Sequence, residues 1–307
     1  MKHSQTSGDR GRRSTSRRGP AVIVFFLLLS LPAWMAASAA VHSQRPLRAN
    51  HTATIPPGAS QLTRETIPSP WEPPSVEGPF TYGNSFDGQD LKAYRIGNGP
   101  IAKAIIGAIH GGYEWNSMVL VASILSKLRS EAGIVPPQVS LYVIPLANPD
   151  GMRAGLNVLQ GRFNGNGVDL NRNWDYQWRR YGTHAGERVS AGKHPFSEPE
   201  TAALRDFILA RDIQDAIFYH SSGALVFSGA DASVSRTVEL ARLLSDFTGY
   251  RYAPEGIPWD VTSGDAIDWL TSQGINAVEI ELSTHHSLDW EQNWPAFIAF
   301  LYWNLER

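Results

Sequence analysis

The sequence predicts an α/β fold of three layers, with helices on both faces of a mixed, twisted and mostly parallel sheet. Two observations predict it. From Ala102 onward, short apolar runs alternate with amphipathic stretches, the pattern of strands joined by crossover helices. In addition, His110, Asn148, His220 and Glu281 all fall at or just past the ends of apolar runs. Open sheets of this kind bind their ligands there, outside the carboxyl ends of the strands.

The chain opens with Lys2, Arg10, Arg12, Arg13, Arg17 and Arg18 against the single acid Asp9. Ala21 to Met35 is then apolar apart from Ser30, and Ala37-Ser38-Ala39 follows. A basic start, an apolar run and a small-residue cleavage pattern make residues 1–39 a secretory signal. An uncleaved anchor is the alternative, because the run extended to Val41 approaches a bilayer-spanning length. The expected location is therefore extracellular or periplasmic, or membrane-anchored with the domain outside. Residues 40–79 are rich in Pro, Ser and Thr and read as a linker or short pro-segment.

One domain is expected over residues 80–307, long enough to bury a large core. Gly83, Gly88 and Gly97 punctuate a strand around Lys92 to Ile96. Ala102 to Ile109 reads as a buried strand. Ser117 to Arg129 reads as a helix, with Val121, Leu125 and Leu128 on one face and Gly133 as its stop. Val139 to Pro145 is the next strand. Ser197-Glu198-Pro199-Glu200 reads as a capping box opening a helix to about Ala210. Asp215 to Tyr219 and Ala224 to Phe227 are strands, and Val234 to Thr248 is a helix. Gly264 to Ser272 forms a short helix, Ala277 to Leu282 a strand, and Trp290 to Leu305 a closing helix.

Composition excludes several chemistries. There is no cysteine, so thiolate metal sites and cysteine nucleophiles are ruled out. Any metal must rest on His, Asp or Glu. The formal charge is −2, and the basic N-terminus leaves the remainder more acidic still, which argues against a nucleic-acid partner.

Asn148 to Trp174 sets arginines and amide side chains in Gly-rich backbone, where helix and strand are disfavoured. Polar groups crowded at a strand end suit an anion, and the arginine fork matches a carboxylate with two parallel hydrogen bonds. A solvated surface loop is the plainer reading. In His110-Gly111-Gly112-Tyr113-Glu114, the glycines let the backbone turn so that His110 and Glu114 converge. With a second His from a distant segment, they make a three-ligand zinc site with one open position. Glu279 and Glu281 stand two apart in a strand and share a face.

Taken in order, these pieces resemble the zinc metallocarboxypeptidases, in particular an exported, bacterial-type member of the carboxypeptidase A-like peptidases. The specific parts are Asn148-Pro149-Asp150-Gly151 with Gly167-Val168-Asp169-Leu170-Asn171-Arg172-Asn173, then Pro195-Phe196-Ser197-Glu198-Pro199-Glu200-Thr201. The resemblance covers roughly Tyr82 to Trp303. It implies one Zn2+ per chain on His110, Glu114 and His220, with Glu281 as general base. It makes Arg162 the cation facing the scissile carbonyl, with Arg153 as an alternative. Asn171 and Arg172 would bind the terminal carboxylate of a peptide, and Asp265 and Ile267 would line the pocket for its last side chain. Asp265 either pairs with a basic group there or caps the following helix. His184 and His194 are expected to be solvated or to lie behind the ligands, and His285 and His286 to sit on the rim.

There are two departures from the family pattern. Three residues separate His110 from Glu114 instead of two, an excess that a bulge could absorb. Asp260, beside Trp259, stands where the family has a mobile tyrosine. The expected activity is release of a C-terminal amino acid from a peptide. The alternatives are a peptidoglycan stem peptide with a diaminopimelate or D-amino acid end, or a peptide-binding module that has lost catalysis.

Overall fold

The computed structural model describes residues 76–229, 235–254, 256 and 263–306. Residues 1–39, and most of the stretch read as a linker, lie outside these. The first strand opens at Val76, inside that stretch, so ordered pairing starts earlier than expected. The reason is that Val76 and Glu77 find partners in Ile96 and Arg95, which composition does not reveal.

The elements run β1 (Val76–Asn84), β2 (Asp90–Ile96), β3 (Ile101–Gly107), α1 (Trp115–Ser130), β4 (Val139–Ile144), α2 (Pro149–Ala154) and α3 (Val158–Gly161). They continue as β5 (Tyr181–His184), β6 (Glu187–Ser190), α4 (Pro199–Ala210), β7 (Ile213–Ser221), β8 (Leu225–Ser228) and α5 (Ser235–Thr248). Last come β9 (Arg251–Tyr252), α6 (Ala266–Ser272), β10 (Asn276–Leu282) and α7 (Trp290–Tyr302). Eight strands form the main sheet in the order β1-β2-β4-β3-β7-β10-β8-β9, and β5 pairs with β6 apart from it.

The centre of the sheet, β4-β3-β7-β10, is parallel. The antiparallel partners β2 and β8 flank it. Every residue of β3 and β4 is buried. Covering both faces produces this, and it explains why these strands read as unbroken apolar runs. On one face pack Leu204, Phe207 and Ile208 of α4 and Ile267, Trp269 and Leu270 of α6, around Trp174. On the other lie Leu120, Val121, Ile124 and Leu128 of α1, Leu240 and Leu244 of α5, and Phe297, Phe300 and Leu301 of α7. Each such side chain stabilises the fold by about 1.5–3 kcal/mol when fully buried.

The capping box is not formed. Glu198 takes the N-cap position without a side-chain bond to the helix backbone. Tertiary partners claim both acids instead. Asn164 donates to Glu198 Oε2 at 2.9 Å and to Glu200 Oε2 at 3.1 Å, and the Phe86 N–H donates to Glu200 Oε1 at 2.9 Å. At the other side of the motif, Asp150 anchors the β1–β2 turn. It accepts from Ser85 Oγ at 2.6 Å, the Asp87 N–H at 3.0 Å and Gln89 Nε2 at 2.7 Å.

Candidate active site

β3 stops at Gly107, so His110 stands three residues past the strand. The excess residue before Glu114 is taken up by a single 3-10 turn over Gly111–Glu114, rather than by a bulge. Glycine is required here. Gly111 has φ +48°, and a Cβ on it would lie 2.6 Å from Gly161 O. A Cβ on Gly112 would lie 2.1 Å from Gly155 O. The turn therefore rests directly on the backbone that leads into Arg162. Asn148 fixes the same crossing, accepting from the Gly151 N–H at 2.9 Å and donating to Ile109 O at 3.3 Å.

His220 lies on β7, in register with Glu281 on the neighbouring parallel strand β10. His110, Glu114 and His220 are brought together and buried. Glu114 Oε1 is 2.7 Å from His110 Nδ1, and Glu114 Oε2 is 3.0 Å from His220 Nδ1. The two Nδ1 atoms are 3.2 Å apart. Ligands about 2.0–2.1 Å from a tetrahedral zinc ion stand about 3.3 Å from one another, so the donor set fits that ion. Two further facts support the fit. Glu114 Oε2 has no hydrogen bond of its own. The far nitrogen of His110, Nε2, lies 3.1 Å from Asp169 Oδ1, the carboxylate partner that fixes the tautomer of a metal-binding imidazole.

The sequence offers Asp169 only as one letter of a motif, and the structure sets it between His110 and Arg162. Its Oδ2 accepts from Arg162 Nε at 2.8 Å, so one carboxylate orients both His110 and Arg162. Burial would raise its pKa, but the charges of Arg162 and His110 hold it well below the ordinary carboxylate range. The same competition governs Glu114. Burial pushes it up, and His110 and His220 hold it well down. Burial pulls His220 down, yet Glu279 and Glu114 push it up to about 10. Glu281 moves the other way, well above its ordinary value, through burial and through Glu114 and Glu279 nearby. Its Oε2 is buried with no hydrogen-bond partner.

His110, Glu114 and Glu281 line one cleft of about 770 Å³, which also holds Arg162, Asn171, Arg172, Asp265, Ile267, Asp268 and Glu279. Arg162 is buried, with Nη1 3.7 Å from Glu114 Oε1. Arg153 is exposed and pairs with Asp87, away from the cleft. Arg172 spends two N–H groups on backbone, on Asn171 O at 2.9 Å and Thr183 O at 3.1 Å, and its Nε has no partner. Asn171 accepts from the Ala266 N–H at 3.0 Å, and its Nδ2 stands 3.4 Å from Glu279 Oε2.

Asp265 caps α6, accepting from the Asp268 N–H at 2.8 Å, and it also lines the cleft. Burial, Asp268 and Glu279 raise its pKa well above the usual range. His184 and His285 also line the cleft, and burial lowers His184 to about 4. His194 is exposed and turned to its own backbone, and His286 is absent from the lining. Trp259 and Asp260 lie outside the described residues.

A family model for zinc carboxypeptidases, Peptidase M14, matches residues 72–294. Carboxypeptidase B from Astacus astacus is 31% identical over 163 residues, 47% of this chain and 54% of that protein. The chain spans about half the length of the curated relatives it matches, or less. Among solved structures, thrombin activatable fibrinolysis inhibitor superposes with a TM-score of 0.61 at 19% identity, covering 74% of this chain and 67% of that one. Murein-tripeptide amidase MpaA from Escherichia coli O157 gives 0.56 at 23% identity, over 78% of this chain and 96% of that one. At such identities these two likenesses speak for the fold. The match over most of the domain, joined to the His110, Glu114 and His220 cluster it contains, means that this chain belongs to the zinc carboxypeptidase family, Peptidase M14.

Proposed function

We propose that the protein hydrolyses the C-terminal peptide bond of peptides, with one zinc ion held by His110, Glu114 and His220. The observation that carries this reading is the convergence of those three donors, two of which, His110 and Glu114, line the same cleft as an unpartnered carboxylate oxygen, Glu281 Oε2. Zinc in that position supplies a Lewis acid that polarises the scissile carbonyl and makes water more acidic. Glu281 takes a proton from the attacking water and returns it to the leaving amine, so hydroxide adds to the carbonyl carbon and no covalent enzyme intermediate forms. Arg162, held by Asp169, faces the negative charge that develops on the carbonyl oxygen, an effect worth about 3 kcal/mol in comparable sites. Asn171 and Arg172 grip the free carboxylate of the last residue, which an internal bond does not offer.

The pocket for the last side chain contains Asp265 and Ile267, with Glu279 and Asp268 in the same lining. This acidic wall favours a terminal residue with a basic group. A second reading has one observation in its favour. Asp265 and Glu279, in one lining with Arg172, suit an end that carries an ammonium and a carboxylate together, as the diaminopimelate of a cell-wall stem peptide does. Export of the protein is part of the proposal. It rests on the basic, apolar and Ala-x-Ala pattern of residues 1–39.

The test is metal content and hydrolysis measured together on protein lacking residues 1–39. The expected result is zinc near one per chain, with release of the last residue from lysine-, arginine- or diaminopimelate-ended peptides. Glu281→Gln should keep the zinc and lose roughly 10²–10⁴-fold in rate. Glu114→Ala should lose the zinc. Zinc bound without turnover on any peptide would instead make the protein a peptide-binding module.

A further inference from the structure

Tyr113 is the third residue of the 3-10 turn that joins His110 to Glu114. Its ring is held from both sides. The His285 ring lies 4.4 Å away, tilted by 42°, and the His184 ring meets it edge-on at 5.6 Å. The Arg162 guanidinium carbon is 6.0 Å from its centroid. His285 is itself fixed, with Nδ1 2.9 Å from the Ser221 hydroxyl, which donates to Asn116 Oδ1. Beneath the ring, Gly111 and Gly112 press on the backbone of Gly155 and Gly161, so the turn has no room to shift. Tyr113 lines the same cleft as His110, Glu114, Arg162 and Glu281. Among the described residues, no hydrogen bond engages its phenol.

A half-buried phenol normally finds a hydrogen-bond partner. Here the ring is braced by two imidazoles and a rigid turn, while its one polar atom is left unspent inside the cleft. We propose that Tyr113 is a substrate-positioning residue whose phenol donates a hydrogen bond to a backbone carbonyl of the bound peptide, with His184 and His285 holding the ring upright. This inference rests on the reading of the cleft as a peptide site. A residue of the lengthened segment between two metal ligands thereby becomes a contact for substrate. Because the frame is fixed in advance, the contact costs little ordering on binding.

The experiment has a turnover arm and a binding arm. Tyr113→Phe keeps the ring and its stacking and removes only the oxygen. With N-blocked dipeptides ending in lysine, arginine, phenylalanine or diaminopimelate, KM should rise roughly three- to tenfold with kcat nearly unchanged, the sign of lost uniform binding. Zinc content and Tm should match the parent, separating this from a folding defect. In the binding arm, zinc-loaded Glu281→Gln is titrated with the same peptides by calorimetry, with and without Tyr113→Phe. A matching weakening in Kd supports the assignment even if turnover is slow. Equal KM and equal Kd, in protein that does bind and cleave peptide, would overturn the role of Tyr113 alone. A panel that neither binds nor is cleaved would overturn the peptide-site reading and this assignment with it.

Discussion

β3 and β7 carry buried charge at both ends, and the two ends are built differently. At the amino ends, Lys103 on β3 is in register with Asp215 on β7, with Nζ 3.2 Å from Oδ2 and both side chains fully buried. The ammonium also donates to Phe300 O at 2.8 Å and Trp303 O at 2.6 Å, and Asp215 Oδ1 accepts from Asn276 at 2.8 Å. That cluster joins two strands to the end of α7 and is closed in charge, its cation and its carboxylate neutralising each other. At the carboxyl ends, His110 and His220 meet Glu114, Asp169, Glu279 and Glu281, with atoms of Glu114, His220 and Glu281 left without hydrogen bonds. Burial alone does not distinguish the two. The distinction is whether a buried charge has all its partners inside the protein or keeps places for something from outside.

Three measurements would break or sharpen that contrast. The largest effect is expected at the closed end. Lys103→Met leaves Asp215 buried without its cation and should destabilise the protein by about 3–5 kcal/mol in urea unfolding. Adding Asp215→Leu should recover much of that, and zinc content should not change in either variant. A loss below 1 kcal/mol would show that the cluster is not a closed unit.

At the open end, Asp169→Asn removes the carboxylate that orients His110 and Arg162. Zinc affinity, read by competition with a chromophoric chelator, should fall about 10–100-fold. Unchanged affinity would mean that the ring of His110 is positioned by packing alone.

The smallest effect is expected at Asp265. Its carboxyl is raised in the folded protein, so the folded state stays protonated where the unfolded chain has already ionised. Stability of the metal-free protein should therefore fall as pH rises from the ordinary carboxylate value towards the folded one. Asp265→Asn keeps a good helix cap and should flatten this slope, gaining about 1 kcal/mol near neutral pH. Parallel curves for the two proteins would contradict the raised carboxyl of Asp265.

The parts of the fold legible in the sequence are those covered on both faces. Ala102 to Ile106 and Val139 to Ile144 announce themselves because parallel central strands need apolar side chains throughout. The hairpin of β5 and β6 was missed. Its Tyr181-Gly182-Thr183-His184 strand is mostly half-exposed or exposed and shows no clean alternation. α2 was hidden because it begins on the proline of the motif itself.

Motif order was enough to place His110, Glu114, Glu281, Arg162 and Arg172 in one cleft. Nearby motif residues could not be sorted from them. Asn173 resembles Asn171 in sequence, yet it holds Ala191 O, the Glu198 N–H and the Thr201 hydroxyl, and serves the loop. Asp169 carries no local mark of its partner, because His110 is 59 residues away. Nothing in the sequence marks Tyr113, since it is the 3-10 turn that brings it to the cleft.

The glycine crossing of Gly111, Gly112, Gly151, Gly155 and Gly161 has a consequence for how this protein can vary. Where two backbones touch, no side chain can be tried, large or small. Mutation cannot fine-tune the angle at which His110 and Arg162 are presented, and most changes there break the frame outright. Room for novelty lies in side chains that line the cleft: Tyr113, His184, His285 and Asp265. A lineage built on this chain could rebuild the walls of its cleft many times over while His110 and Arg162 stayed in one place.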